Sequence, residues 1–124
     1  MHDDAADEYS RFLPEIDIND GLKRVMNKKQ LLLSLLGKFR IKEMVTDLVA
    51  VIRAEDHKKI MESAHAIKGA AGNLGCTGIR DIMMEVESRS REYLSSVDLL
   101  DVISEISEKT EQAIAELLAM PTTA

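Results

Sequence analysis

The sequence is poor in everything that would staple a fold or build it from sheets. Its 124 residues include one cysteine, two prolines, six glycines and no tryptophan, and aromatics make up only 3%. With Cys76 alone, no intrachain disulfide is possible, which fits a reduced compartment. So few prolines and glycines leave few breaks for the many short strands of an all-β fold. Long apolar runs are missing as well. The most apolar segment, Leu31 to Leu36, is far shorter than the ~20 residues needed to cross a bilayer. The opening M-H-D-D-A-A-D-E is acidic and lacks the apolar stretch of a signal peptide. Concentrated positive charge is also absent: the formal net charge is −6, which argues against general nucleic-acid binding. These absences point to the cytoplasm.

What remains is enough for one modest domain. Hydrophobic residues make up 45% of the chain, too many for a disordered polymer. The core must be drawn from Leu, Ile, Val, Met and Ala, a palette that suits helices packed on helices.

Residues 1–13 read as a polar arm or linker, with a short helical turn around Tyr9, Phe12 and Leu13 that Pro14 ends. A short helix is expected within Ile16 to Asn27, capped by Asn19 or Asp20, with Leu22, Val25 and Met26 inward. Lys28 to about Ala54 carries a long helical pattern. Leu32, Leu35, Leu36 and Phe39 form one stripe, and Ile41, Val45, Leu48 and Ile52 another, with Gly37 weakening the middle and marking a bend. Asp56 is the better cap for the next helix, which runs to about Gly72, and Gly75 closes the loop after it. Thr77 to about Leu94 follows, with Ile79, Ile82, Val86 and Tyr93 inward. Ser95 to Asp98 is a helix-start signal, and the last helix runs to about Ala119, burying Leu99, Ile103, Ile106, Ala113, Ile114 and Leu117. Four long helices with short loops imply an all-α, antiparallel up-down four-helix bundle over residues 14–120, with one or two short extra N-terminal helices.

The stretch S-A-H-A-I-K-G-A-A-G-N-L-G, Ser63 to Gly75, does not fit a plain core helix. Gly69 and Gly72 each cost about 1 kcal/mol relative to Ala in a helix interior. At about 100° per residue, Ile60, Ile67, Ala70, Ala71 and Leu74 fall together, roughly opposite His65. His65 therefore points outward, and Met61, Lys68, Gly69 and Gly72 share its face. Small residues beside an outward imidazole leave room for something to approach. Lys68 can set an ammonium near anionic oxygens. An imidazole on an exposed face is partly neutral at pH 7, and so is available as a nucleophile.

The run Ala64-His65-Ala66-Ile67-Lys68-Gly69-Ala70-Ala71-Gly72 closely resembles the A-H-x-x-K-G-x-x-G pattern of histidine phosphotransfer (HPt) domains in bacterial multistep phosphorelays. The segment from Pro14 to Phe39 is similar to the first helices of HPt modules at the C-terminus of hybrid sensor kinases. The resemblance runs by motif from Pro14 to Leu94, and beyond that by helical pattern. It implies a four-helix bundle that accepts a phosphoryl group from a receiver-domain aspartate and passes it to another receiver. His65 would be the phosphoacceptor and Lys68 the charge partner of the phosphoryl group. Gly69 and Gly72 would keep the approach clear, and Met61 would touch the receiver. Such domains have no ATP site and need no cofactor of their own, Mg²⁺ being on the receiver. They are mostly monomers, without nucleic-acid or direct membrane contact. Within a hybrid kinase the domain would lie on the cytoplasmic side of the inner membrane. Some members carry a glutamine on the following helix that bonds near the histidine. The matching position here is Glu87, an anion able to orient the imidazole but also one that would repel a phosphoryl group, and on that ground it is left outside the site.

Other candidates have plainer readings. His57 lies eight residues before His65 and His2 sits in the arm, a spacing that gives no metal site. Cys76 is expected to fill a helix start. Met83 and Met84 read as core filler, and the acidic faces of Glu85, Glu87, Glu105, Glu108 and Glu111 as solvated. Two other functions compete. The dimerising histidine region of an ATP-dependent kinase usually has an acidic residue after the histidine and a proline a few positions on. Ala66 and the lack of any proline between Pro14 and Pro121 disagree with that. A helical adaptor without phosphotransfer is the remaining alternative.

Overall fold

The computed structural model describes residues 9–121, so the expectations for residues 1–8, His2 among them, lie outside the described residues. Six α-helices and two 3-10 turns make up the described chain, with no strand among them. A 3-10 turn, Ser10–Phe12, comes first. The helices are α1 (Ile18–Arg24), α2 (Lys29–Gly37), α3 (Ile41–Arg53), α4 (His57–Asn73), α5 (Thr77–Arg91) and α6 (Leu100–Ala119). Each of α3, α4, α5 and α6 packs on its two neighbours in a closed ring, with α4 against α5 the most extensive pair. This is the expected four-helix bundle. The short helices α1 and α2 lie on it, α1 against α4 and α2 against α6.

Several boundaries differ from expectation, each for a physical reason. The cap of α1 is Asp17, not Asn19 or Asp20. Asp17 has extended backbone angles and its carboxylate accepts from the Asp20 amide at 3.1 Å. Asp20, already inside the helix, instead pairs with Arg24 one turn on at 3.2 Å. Met26 and Asn27 take left-handed angles, and this turn leaves Met26 76% exposed rather than inward.

The long pattern from Lys28 to Ala54 is two helices, broken at Lys38–Arg40. The apolar spacing requires the break. In one continuous helix Ile41 would sit about 180° around the axis from Leu32. Bending the chain lets Leu32 and Leu36 enter the same core as Ile41, Val45, Leu48 and Ile52, all of them buried. Leu35 stays at the surface.

The cap of α4 is Asp56, as expected, accepting from the Lys59 amide at 3.2 Å. Gly75, in the turn to α5, has φ +77°, and a Cβ there would run into the backbone of Asp17 and Gly21. Glycine is needed because α1 crosses here, with the Asp17 amide donating to the Gly75 carbonyl at 2.7 Å. Cys76 is buried at the start of α5, and burial pushes its thiol up to about 12, so it is not a thiolate at neutral pH.

Helix α5 stops at Arg91, short of Leu94. Tyr93 adopts φ 60° and is 80% exposed rather than inward, its ring edge-on to His57 at 5.6 Å. Met83, with Ile79 and Val86, fills the core instead. The Ser95 to Asp98 signal opens a 3-10 turn, Val97–Leu99, in which the Ser95 hydroxyl accepts from the Val97 amide before α6 begins. Leu99 and Ile106 are half-buried, while Ile103, Ala113, Ile114 and Leu117 are buried. Tyr9 and Phe12, from the stretch read as a polar arm, are also buried, in the same core as Ile16.

Candidate functional site

Three contacts across the pair α4–α5 define its register. The stem of Arg80 lies by Gly72, Glu87 lies against His65 and Lys68, and Ser90 lies against His57. The α5 numbers rise as the α4 numbers fall, so the two helices run antiparallel. The buried stripe of α4 is Ile60, Ala64, Ile67 and Ala71, a spacing of one turn per step. Ala70, expected in that stripe, is half-buried at its edge. His65 faces away from the stripe with its side chain 70% exposed, as the sequence pattern requires.

Glu87, expected on a solvated face and outside the site, is instead buried at the centre of the group. Its side chain is 11% exposed, and its carboxylate bridges two residues of α4. Oε2 lies 3.1 Å from His65 Nδ1, and Oε1 accepts from Lys68 Nζ at 2.7 Å. Burial alone would push this carboxyl up. The hydrogen bonds from Lys68 and His65, reinforced by their charges, outweigh burial and hold it below the ordinary value of 4.5. Glu87 is therefore an anion at neutral pH. An ionised carboxylate only accepts hydrogen bonds, so the Nδ1 facing it carries the proton. In the neutral ring, Nε2 then holds the free lone pair. The carboxylate meets the ring on its Nδ1 side, and Lys68 is its counter-ion.

The two glycines have different surroundings. A Cβ at Gly69 would meet nothing within 4 Å, so the space one turn beyond His65 is open. Gly72 is buried, contrary to the expectation that both glycines lie on the open face. A Cβ there would stand 3.5 Å from Arg80 Cδ, so the stem of Arg80 occupies that side. Met61 is half-buried one turn before His65. Met84, read from sequence as filler, is 53% exposed one turn before Glu87. A signal for Glu87 was present in the sequence. It follows Met83 by one turn, beside the buried stripe of α5, where a carboxylate needs a cationic partner.

A family model described as the Hpt domain matches residues 37–120, which take in α3 to α6 and every residue of the His65 group. The chain belongs to the Hpt domain family. Hpt domains are phosphotransfer domains, carriers of a phosphoryl group rather than catalytic folds. A solved structure, the HPT domain from the Hpt sensor hybrid histidine kinase from Shewanella, superposes with a TM-score of 0.76 at 18% identity. The match covers 88% of this chain and 97% of that one, and at this identity it establishes the fold. None of the curated proteins matches. In this Hpt domain no described helix is long and apolar enough to cross a membrane.

Proposed function

We propose that this Hpt domain carries a phosphoryl group on Nε2 of His65 between receiver-domain aspartates in a multistep phosphorelay. The observation that carries this reading is an imidazole, its side chain 70% exposed, whose Nδ1 is tied to Glu87, leaving Nε2 with the free lone pair. A nucleophile held in one tautomer and one orientation loses little freedom on reaction. The open space at Gly69 lets a partner's phosphorylated aspartate approach. The receiver supplies the Mg²⁺ and the leaving carboxylate, so this chain needs only position and charge. Lys68, 30% exposed, is near enough to the surface to turn from Glu87 toward phosphoryl oxygens. Met61 is the proposed receiver contact from the sequence pattern, and Met84 on α5 is a second methionine at the surface. The domain acts as a monomer on the cytoplasmic side, either free or as part of a hybrid kinase.

The test is transfer of label from a panel of phosphorylated receivers to the purified chain, with His65→Gln as control. The expected product is acid-labile, alkali-stable and absent from the control. Absence of transfer from every receiver would replace the carrier reading with that of a helical adaptor.

A further inference from the structure

The Glu87 carboxylate does more than orient a ring. We infer that it keeps the Nδ1 proton on His65 throughout phosphotransfer, so that the phosphoryl group is carried on an imidazolium and is readily given up. The inference rests on the proposed reading that His65 is the phosphoacceptor.

The electron count shows why the proton matters. In the forward step the Nε2 lone pair forms the N–P bond. The receiver aspartate leaves as a carboxylate with the electron pair of its O–P bond. The ring keeps its Nδ1 proton and so gains one positive charge. The carboxylate oxygen 3.1 Å from Nδ1 is positioned to balance that charge. In the return step the N–P pair goes back to Nε2, and the neutral Nδ1–H ring is restored. No proton enters or leaves in either direction.

A neutral acceptor beside Nδ1 would hold the cationic ring less strongly. The phosphorylated ring could then lose its proton to water, and the leaving group would become an imidazolide anion, a far poorer one. A carboxylate thus favours donation over storage.

The surroundings of Glu87 support this role. Its two oxygens divide their work, one on His65 and one on Lys68. Among the described residues, the charged groups that bear on it are Lys68 and His65, both from α4. No group of α6, on which α5 also packs, contributes. Lys68 therefore acts first as the counter-ion that keeps Glu87 ionised while it is buried. Glu87 is a positioning residue: it works through His65 and touches no substrate.

Phosphoramidate, a small-molecule donor to histidine, serves as the probe for the test, so no receiver is required. Wild type, Glu87→Gln and Lys68→Met are phosphorylated, and the His65 ring is followed by ¹⁵N NMR while loss of phosphate is timed. In wild type the phosphorylated ring should keep its Nδ1 proton at pH 7.5. In Glu87→Gln it should lose that proton at lower pH, and the phosphoryl group should last roughly five to ten times longer, the difference between a charged and a neutral hydrogen-bond partner. Lys68→Met removes the counter-ion that keeps Glu87 ionised, so its phosphorylated ring should also lose the Nδ1 proton at lower pH than wild type, with a longer phosphoryl lifetime.

A neutral phosphorylated ring in wild type at pH 7.5 would overturn the inference without any variant. Equal lifetimes in wild type and Glu87→Gln would do so as well, as would an Nδ1 proton held as firmly in Lys68→Met as in wild type. If His65 takes phosphate from phosphoramidate but from no receiver, the phosphorelay reading fails while the Glu87 inference is still decided.

Discussion

Helix α4 presents two histidines to α5, two turns apart, in different company. His57 lies at the first position of the helix, its Nδ1 3.4 Å from the buried Ser90 hydroxyl and its ring against the edge of Tyr93. His65 lies mid-helix, its Nδ1 3.1 Å from a carboxylate that is itself held by a lysine, with open space one turn on. A hydroxyl can donate or accept, so it leaves the tautomer of His57 open. A carboxylate can only accept, so it sets the tautomer of His65. The difference lies in what the neighbouring helix brings, and in whether anything can reach the ring.

The largest expected effect separates the two rings directly. His65→Gln should abolish acid-labile labelling by a phosphorylated receiver, while His57→Gln should leave it intact and cost at most about 1 kcal/mol of stability for one long hydrogen bond. Labelling of the His65→Gln protein would move the chemistry to the other histidine.

The glycines give the next contrast. Gly69→Leu should stabilise α4 by about 0.5–1 kcal/mol yet slow transfer at least about tenfold, since a small misplacement of reacting groups is costly. Gly72→Ala should bring a similar gain of about 0.5–1 kcal/mol, because its Cβ would meet only the Arg80 stem at ordinary contact distance, and should disturb transfer far less. Transfer kinetics beside thermal melts would check both, and normal rates in Gly69→Leu would remove the argument from clearance.

Lys68→Ala should reduce transfer about tenfold while costing about 1 kcal/mol, the size of a charged hydrogen bond partly compensated by water. Matched losses of rate and stability would make Lys68 a structural residue only.

The smallest effect concerns acid. Because the folded Glu87 carboxyl is held below its ordinary value of 4.5, the stability it contributes is present above that pH and is lost as pH falls below it. Glu87→Gln should therefore flatten the acid side of the stability curve. An unchanged slope below pH 4.5 in denaturant titrations would mean that the bridge to Lys68 and His65 contributes nothing to folding.

Much of this was legible because it is local. The spacing of Ile41, Val45, Leu48 and Ile52 marks one helix face without reference to any partner, and all four are buried. The same arithmetic puts His65, Lys68 and Gly69 on one face of α4, and Asp56 caps that helix through its carboxylate, which accepts from the Lys59 amide three residues on. Errors arose where a neighbour intervened. Tyr93 fits the helical stripe of α5, but a left-handed turn ends the helix before the stripe reaches it. Tyr9 and Phe12 sit in a polar stretch, yet α2 and the core offer them cover, including Lys29 5.6 Å from the Tyr9 ring.

The sequence by itself determined the helices, the bundle and the exposed histidine with its small neighbour, since these follow from periodicity within single segments. Only the tertiary structure decided the state of that histidine. Glu87 lies 22 residues away in the chain, and its charge looks unfavourable until α4 and α5 pack antiparallel and bring it between Lys68 and His65. The same packing buries Gly72 beneath the stem of Arg80 while leaving Gly69 open. A helical repeat specifies which way a side chain points. What it meets there depends on the register between helices, which is set by packing across the whole core.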